Sequence, residues 1–225
     1  MNNLKTKAFG GLLLVLIVMG ALLFLAAGTL NYWQAWAFLA VFGASGLVII
    51  VYLMKKDPKL LERRMSAGPT AEQRTSQKII MSIASLGFVA LFVFPAIDHR
   101  FGWSSVPPYA AIAGDVLVAL GWMIIFFVFQ ENTFTSATIE VAADQKVIAT
   151  GPYAIVRHPM YSGSLLYLLG MPIALGSWWG LFVILLMMPT GLWRLFDEEK
   201  FLNKNLAGYT EYAQKVRYRL VPYLW

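Results

Sequence analysis

Two short groups that are rich in polar residues, and that also contain glycine and proline, lie in a chain that is otherwise strongly apolar. They fall within residues 151–163 and 194–199 and comprise Gly151, Pro152, Tyr153, Arg157, His158, Pro159, Tyr161, Gly163, Arg194, Asp197, Glu198 and Glu199. An arginine binds a carboxylate through two hydrogen bonds, and a helix that opens with proline leaves its first amides free for an anion. A glutamate accepts hydrogen bonds from an ammonium group or from ribose hydroxyls. These residue types suit the binding of a polar cofactor.

The same residues also fit a purely structural role. Arginine and histidine at the mouth of a membrane helix anchor it at the interface, and Arg194 is spaced to pair with Glu198 along one helix face. At the level of residue types, a cofactor site and an interface anchor are therefore equally good interpretations.

The composition indicates an integral membrane protein. Of the 225 residues, 59% are hydrophobic and 13% are charged, whereas a soluble domain carries about 25% charged residues. A membrane helix needs about 20 apolar residues, so the uncharged stretches predict an all-α fold of about six transmembrane helices, with no room for a separate soluble domain. The predicted spans are residues 8–28, 32–54, 79–97 and 109–130 and the two halves of residues 159–193.

The last two spans are predicted to form a helical hairpin. Residues 159–193 are 35 positions without a charge, which as one helix would measure roughly 50 Å and exceed a bilayer core. Gly176 divides this run into two arms of 17 residues. Because equal arms return the chain to the surface that it left, the two polar groups are expected to meet there and form a pocket.

The charged loops predict the orientation in the membrane. Residues 55–78 carry seven basic and three acidic residues, whereas residues 98–108 carry Arg100 as their one firm positive charge. By the positive-inside rule, the first loop, the pocket and both termini are expected on the cytoplasmic side. The net charge of +6 is attributed to membrane lipids and not to nucleic acid. Residues 194–225 are expected to include an interfacial helix on that surface.

The chain contains no cysteine and only two histidines, His99 and His158. Disulfides and thiolate metal sites are therefore excluded, and no metal is expected. We predict one continuous membrane domain, with a four-helix scaffold at residues 1–130 and a cofactor-binding and catalytic region at residues 131–225.

The C-terminal third carries a recognisable series of motifs. The sequence GPYAIVRHPMYSG is followed by an apolar hairpin and then by DEEKFLNKNLAGYTEYAQKVRYRLVPYL. This region resembles the catalytic part of the isoprenylcysteine carboxyl methyltransferase and phospholipid methyltransferase superfamily, in which Arg-His-Pro-x-Tyr-x-Gly precedes a Glu-Glu pair and Tyr-x-x-Tyr. The resemblance covers about residues 146–223 and implies an integral membrane methyltransferase. It further implies S-adenosylmethionine as cofactor and a lipid-like or isoprenoid-linked acceptor, most simply a carboxylate, that enters from the bilayer.

Transferred to the matching positions, the resemblance also implies roles for single residues. The residues that would bind the cofactor are Gly151, Tyr153, Arg157, His158, Tyr161, Gly163 and Glu198. Arg194 and Glu199 would act on the acceptor as the catalytic pair. The family often has further charged residues between this arginine and the glutamates, so the assignment of the acidic residues to these two roles is open.

Two other classes of protein compete with a methyltransferase. Sterol reductases carry a similar Arg-His-Pro-x-Tyr-x-Gly stretch and bind NADPH, but the Glu-Glu pair after the hairpin favours methyl transfer. A small transporter would place polar groups or broken helices near the midplane of the membrane, and the first four predicted spans are nearly free of such groups. The oligomeric state and the identity of the acceptor stay open.

Overall fold

The computed structural model describes residues 2–65, 67–142 and 144–225, and within these ranges every regular element is a helix. The helices are α1 (Asn2–Ala27), α2 (Trp33–Lys56), α3 (Pro58–Met65), α4 (Thr75–Phe101), α5 (Pro108–Glu131), α6 (Pro159–Ala174), α7 (Gly180–Asn205) and α8 (Tyr209–Lys215), with a short 3₁₀ helix at Gly151–Ala154. Helices α1, α2, α4, α5 and α7 are long and apolar enough to cross a membrane. The predicted all-α membrane architecture is confirmed.

The predicted hairpin is present, but its two arms are unequal. Helix α6 has 16 residues and α7 has 26, so five long spans and one shorter helix stand where about six spans were expected. The turn lies at the expected glycine, because Gly176 has a φ of +74°, a conformation that glycine adopts without a steric penalty. The Tyr32 hydroxyl fixes this turn by donating to the Leu175 carbonyl oxygen at 2.5 Å.

The last span does not end before Arg194. Helix α7 continues through the charged residues to Asn205, and both Leu195 and Glu199 are buried. The helical repeat therefore keeps one face of this charged segment in the protein interior. The C-terminal helix is correspondingly short, since α8 has seven residues. It packs through Tyr209 and Tyr212 against Tyr153 and neighbouring apolar side chains.

Helices α5 and α6 pack with their backbones in close contact. A Cβ atom at Gly121 of α5 would lie 2.6 Å from the Gly163 carbonyl oxygen, and one at Gly170 of α6 would lie 2.7 Å from the Gly114 carbonyl oxygen. Small residues at matched positions permit such close approach of membrane helices. The packing places the start of α6 beside the end of α5.

A buried apolar core lies among α1, α2, α4 and α6, and it includes Leu23, Phe38, Phe92 and Met171. Many large apolar side chains point outward instead, among them Leu13 and Leu14 on α1 and Leu186 on α7. Such outward-facing apolar surface suits contact with lipid.

The C-terminal segment is joined to the start of α6 by backbone hydrogen bonds. The Arg157 amide donates to the Tyr218 carbonyl oxygen at 2.8 Å, and the His158 amide donates to the Arg219 carbonyl oxygen at 3.0 Å. The segment that follows α8 therefore lies against the polar end of the hairpin.

Candidate functional site

One cavity of about 540 Å³ lies between α4, α6 and α7 and beneath the irregular segment that joins α5 to the 3₁₀ helix. Its polar end is lined by Arg64, Asn132, Tyr153, Arg157, His158, Tyr161, Arg194, Glu198, Tyr209 and Tyr212. Its apolar end is lined by Ile80, Met81, Ala84, Leu165, Leu168, Ile184, Met187, Met188 and Leu192. The volume is in the usual range for a small-molecule site.

The two polar groups of the sequence meet at this cavity. Tyr161, in the first turn of α6, donates its hydroxyl hydrogen to Glu198 Oε2 of α7 at 2.5 Å. The Tyr161 hydroxyl also lies beside the guanidinium of Arg194. The hairpin therefore brings residues 37 positions apart in the chain into direct contact.

Glu199 is buried and is not among the described lining residues of the cavity. Its Oε1 lies 3.1 Å from Arg157 Nη1 and 3.2 Å from His158 Nε2, and its Oε2 accepts from Arg219 Nε at 3.1 Å. A buried carboxylate needs such partners to offset the loss of water. Since Arg157 and His158 line the cavity, Glu199 fixes their positions from behind.

Arg194 lines the cavity and is held by residues that sequence reasoning missed. Its Nη1 donates to Glu72 Oε1 at 2.9 Å and to Gln77 Oε1 at 2.7 Å, and its Nη2 donates to the Ala137 carbonyl oxygen at 3.2 Å. Glu72 lies in the connection before α4, where the sequence shows only a polar loop. No local spacing could have linked it to Arg194, because 122 positions separate the two residues.

The third acidic residue of the group, Asp197, faces a different neighbour. It accepts hydrogen bonds from Arg74 Nη2 at 2.7 Å and from the side-chain amide of Gln77. Asp197 is not among the described lining residues of the cavity. It serves to join α7 to the start of α4.

Two buried polar atoms at the cavity lack a hydrogen-bond partner among the described residues. They are the Nε of Arg157 and the hydroxyl oxygen of Tyr209, and both residues line the polar end. Because a buried polar group without a partner is costly, a ligand group that paired with these atoms would remove that cost.

Burial shapes the electrostatics of the polar end. Burial, and secondarily the charge of Arg194, lowers the pKa of the Arg64 guanidinium to about 10. Arg64 nevertheless stays cationic at neutral pH and donates to the Ser136 carbonyl oxygen at 2.7 Å. Burial also raises the pKa of the Tyr153 and Tyr209 hydroxyls, so both remain protonated hydrogen-bond donors.

The two glycines predicted at the site lie in its supporting framework. Gly151 has a φ of +56° and begins the 3₁₀ helix that carries Tyr153. Gly163 lies in the close contact between α6 and α5. Neither is among the described lining residues. Within the described part of the chain, no group of three or more histidine, aspartate or glutamate residues is arranged to hold a metal ion.

Most of the similarities to known proteins are to methyltransferases. A family model described as phospholipid methyltransferase matches residues 109–208, from the start of α5 to just before α8. The chain is 28% identical over 195 residues to a probable protein-S-isoprenylcysteine O-methyltransferase of Oryza sativa subsp. indica, a match that covers 81% of this chain and 93% of the rice protein. The protein of the same name from Oryza sativa subsp. japonica has the same identity and coverage.

A second similarity concerns a reductase. The chain is 28% identical over 128 residues to the Delta(14)-sterol reductase TM7SF2 of Mus musculus. This match covers 49% of the chain but only 31% of the mouse protein. The likeness therefore concerns a part of that longer protein.

Proposed function

Because the chain belongs to the isoprenylcysteine carboxyl methyltransferase and phospholipid methyltransferase superfamily, we propose a specific reaction for this membrane methyltransferase. It transfers a methyl group from S-adenosylmethionine to the carboxylate of a lipid-like or isoprenoid-linked acceptor, at the cytoplasmic face of the membrane. The observation that carries the proposal is a cavity with one polar and one apolar end. Such a cavity admits a polar cofactor and an amphiphilic acceptor side by side.

The polar end fits the chemical groups of S-adenosylmethionine. The unpartnered Arg157 Nε and Tyr209 hydroxyl can donate to its carboxylate, and Glu198 can accept from its ammonium group or ribose hydroxyls. When bound, this cofactor supplies a methyl group made electrophilic by a sulfonium centre. Tyr153, Arg157, His158, Tyr161 and Glu198 would contact the cofactor, while Gly151 and Gly163 would shape the backbone around it.

The apolar end fits the hydrocarbon part of the acceptor. Along α7, Ile184 and Arg194 are ten residues apart, which corresponds to about 15 Å of helix. Ile184 and Leu168 are among the apolar lining residues, and Arg194 lies at the polar end. An amphiphile that extends along α7 would place its apolar chain between helices and its polar head near the guanidinium.

We assign Arg194 to the acceptor. A guanidinium orients a carboxylate through paired hydrogen bonds, and a carboxylate acceptor is already deprotonated at neutral pH. The chain therefore needs no general base for this reaction, and it acts by positioning the acceptor and excluding water. We assign Glu199, which is buried behind the lining, to positioning Arg157 and His158.

The cytoplasmic location rests on the distribution of charge. The cavity lies at the same end of the helices as the α2–α4 connection, since Arg64 lines it and Glu72 contacts Arg194. Residues 55–78, which comprise that connection and the adjoining helix ends, hold seven of the basic residues. The positive-inside rule assigns such a segment to the cytoplasm.

Binding and consumption of the two competing cofactors test this proposal. The purified protein in lipid nanodiscs is titrated with S-adenosylmethionine and with NADPH, and both are followed during incubation with a lipid extract. We expect saturable binding and consumption of S-adenosylmethionine alone. Oxidation of NADPH with reduction of a sterol would instead assign the chain the activity named for its mouse relative.

A further inference from the structure

We propose that Glu72 is a positioning residue that sets the Arg194 guanidinium in place for the acceptor; this inference rests on the role proposed above for Arg194. Glu72 is 3% exposed, and its Oε1 lies 2.9 Å from Arg194 Nη1. It lies in the connection before α4, outside the residues that the family model matches.

Gln77 forms the other side of the same support. It is fully buried, and its Oε1 accepts from Arg194 Nη1 at 2.7 Å while its Nε2 donates to Asp197. A guanidinium can only donate and an ionised carboxylate can only accept. The orientation of the Gln77 amide is therefore dictated by its two partners, and its oxygen must face Arg194.

The two acceptors act on one edge of the guanidinium. Glu72 and Gln77 both bind Nη1, and the Ala137 carbonyl oxygen binds Nη2 at 3.2 Å. Because the guanidinium is planar and rigid, fixing these atoms also fixes the direction of the remaining N–H groups. The support thus determines where Arg194 can meet a ligand in the cavity.

Glu72 also keeps Arg194 from forming a competing ion pair with Glu198. Glu198 lines the cavity close enough to interact with Arg194 electrostatically, and a flexible arginine would otherwise be free to turn toward it. The Glu198 carboxylate instead receives the Tyr161 hydroxyl at 2.5 Å. By holding Arg194 Nη1, Glu72 and Gln77 keep the guanidinium available to the acceptor and Glu198 available to the cofactor.

The same carboxylate links Arg194 to the segment that covers the cavity. Glu72 Oε2 accepts from the Ile139 amide at 3.4 Å, and residues 134–140 are among the cavity lining. A buried ion pair contributes little net stability compared with apolar packing. The arrangement is therefore better explained by positioning than by stabilisation of the fold.

A double-mutant cycle tests the inference. Methyl transfer is measured for the wild type, Glu72→Gln, Arg194→Gln and the double variant in nanodiscs, with S-adenosylmethionine and an acceptor methylated by the wild type. Misplacing a reacting group by about 1 Å can cost roughly 100-fold in rate. We expect Glu72→Gln to lower kcat/KM for the acceptor by about 10- to 100-fold without changing the affinity for S-adenosylmethionine. In the Arg194→Gln background, the same substitution should add no further loss.

Two further variants distinguish a loss of Arg194 positioning from a purely structural effect. Glu62→Gln is the matched control, because Glu62 is exposed on α3 in the same charged region, and it should leave kcat/KM unchanged. Gln77→Met removes the second acceptor of Nη1 and should lower kcat/KM for the acceptor by a similar factor, so it tests the inference on its own if Glu72→Gln fails to fold.

Independent, additive losses from Glu72→Gln and Arg194→Gln would overturn the inference while leaving the proposed function intact. So would unchanged acceptor kinetics in both Glu72→Gln and Gln77→Met. Failure of the wild type to transfer any methyl group would overturn the proposed function itself and this inference with it.

Discussion

His158 and Glu198 approach the cavity from opposite arms of the hairpin. His158 is fixed by Glu199 at 3.2 Å, and Glu198 receives the hydroxyl of Tyr161 at 2.5 Å. Both side chains line the cavity, so each is supported from the protein side and remains within reach of a molecule in the cavity. This combination of support and access is what a cofactor site requires.

We therefore predict that His158→Ala and Glu198→Ala each weaken the binding of S-adenosylmethionine by about 1–3 kcal/mol, the usual loss for a buried or charge-assisted hydrogen bond. Isothermal titration of the nanodisc-embedded protein measures this directly. His99→Ala is the control, because His99 stacks on Tyr32 with a centroid distance of 3.9 Å and lies at the opposite end of the helices. Unchanged affinity in both variants would contradict a cofactor site and would favour a role of these residues as anchors at the membrane interface.

Arg194→Ala should separate turnover from cofactor binding. If the guanidinium orients only the acceptor, its loss lowers kcat/KM for the acceptor strongly and leaves the dissociation constant of S-adenosylmethionine nearly unchanged. Kinetics and titration on the same preparation provide both values. Equal losses in turnover and in cofactor affinity would place Arg194 in the cofactor pocket.

The sequence predicts part of this site, and the missing part has a physical explanation. The motif residues Tyr161 and Glu198 could be brought together because a break at Gly176 dictates where the hairpin returns. Glu72 and Gln77 are separated from Arg194 by 122 and 117 positions, and their contact depends on how α4 packs against α7. Arg219 was missed for a similar reason, since its contact with Glu199 depends on the path of the chain after α8.

Among the helices, the α5–α6 pair determines the position of the motif residues at the start of α6. Gly121, Gly163 and Gly170 allow the two backbones to approach, with would-be Cβ contacts of 2.6 to 2.8 Å. The uncharged stretches located both helices but could not reveal this contact, because a glycine in an apolar segment has no feature that distinguishes packing from flexibility. The continuation of α7 beyond Arg194 was missed as well, since charged residues normally mark the end of a span.

Gly121→Ala should accordingly destabilise the protein. The added methyl group would lie 2.6 Å from both the Gly163 carbonyl oxygen and the Tyr167 Cβ, and overpacking of this kind costs about 1–3 kcal/mol. Thermal unfolding in detergent should show a lower midpoint than for the wild type. For Gly11→Ala, where the described residues leave the position open to at least 4 Å, we expect no such decrease. Equal stability of both variants would contradict the packing account.

As a whole, the molecule places its polar end and its densest positive charge on the same side. The α2–α4 connection, the start of α6 and the C-terminal segment all meet there, while Ser104 and Ser177 hydrogen-bond to the buried Asp98 at the other end. The charge pattern of the loops could predict this polarity from the sequence, since the positive-inside rule needs no knowledge of packing.

Cysteine labelling tests the orientation, and the lack of native cysteine makes the background clean. Ser66 in the basic loop and Ser177 at the hairpin turn are the small residues that the sequence offers for cysteine substitution, but Ser66 lies outside the described residues and Ser177 is fully buried. Thr70, Asn31 and Ser105 are exposed and are therefore the suitable positions. In intact cells, an impermeant thiol reagent should label cysteine at Asn31 and Ser105 but not at Thr70. Labelling at Thr70 together with protection of the other two positions would invert the orientation.

The central claim is methyl transfer from S-adenosylmethionine to the carboxylate of an amphiphile. The most direct measurement uses S-adenosylmethionine with an isotope-labelled methyl group, the protein in nanodiscs and a prenylated cysteine derivative, with mass spectrometry of the product before and after mild base. We predict a single labelled methyl group that base releases as methanol, because a methyl ester is hydrolysed under these conditions. Incorporation of label that resists base, or methylation of a short water-soluble carboxylate as efficiently as of the prenylated one, would contradict the account.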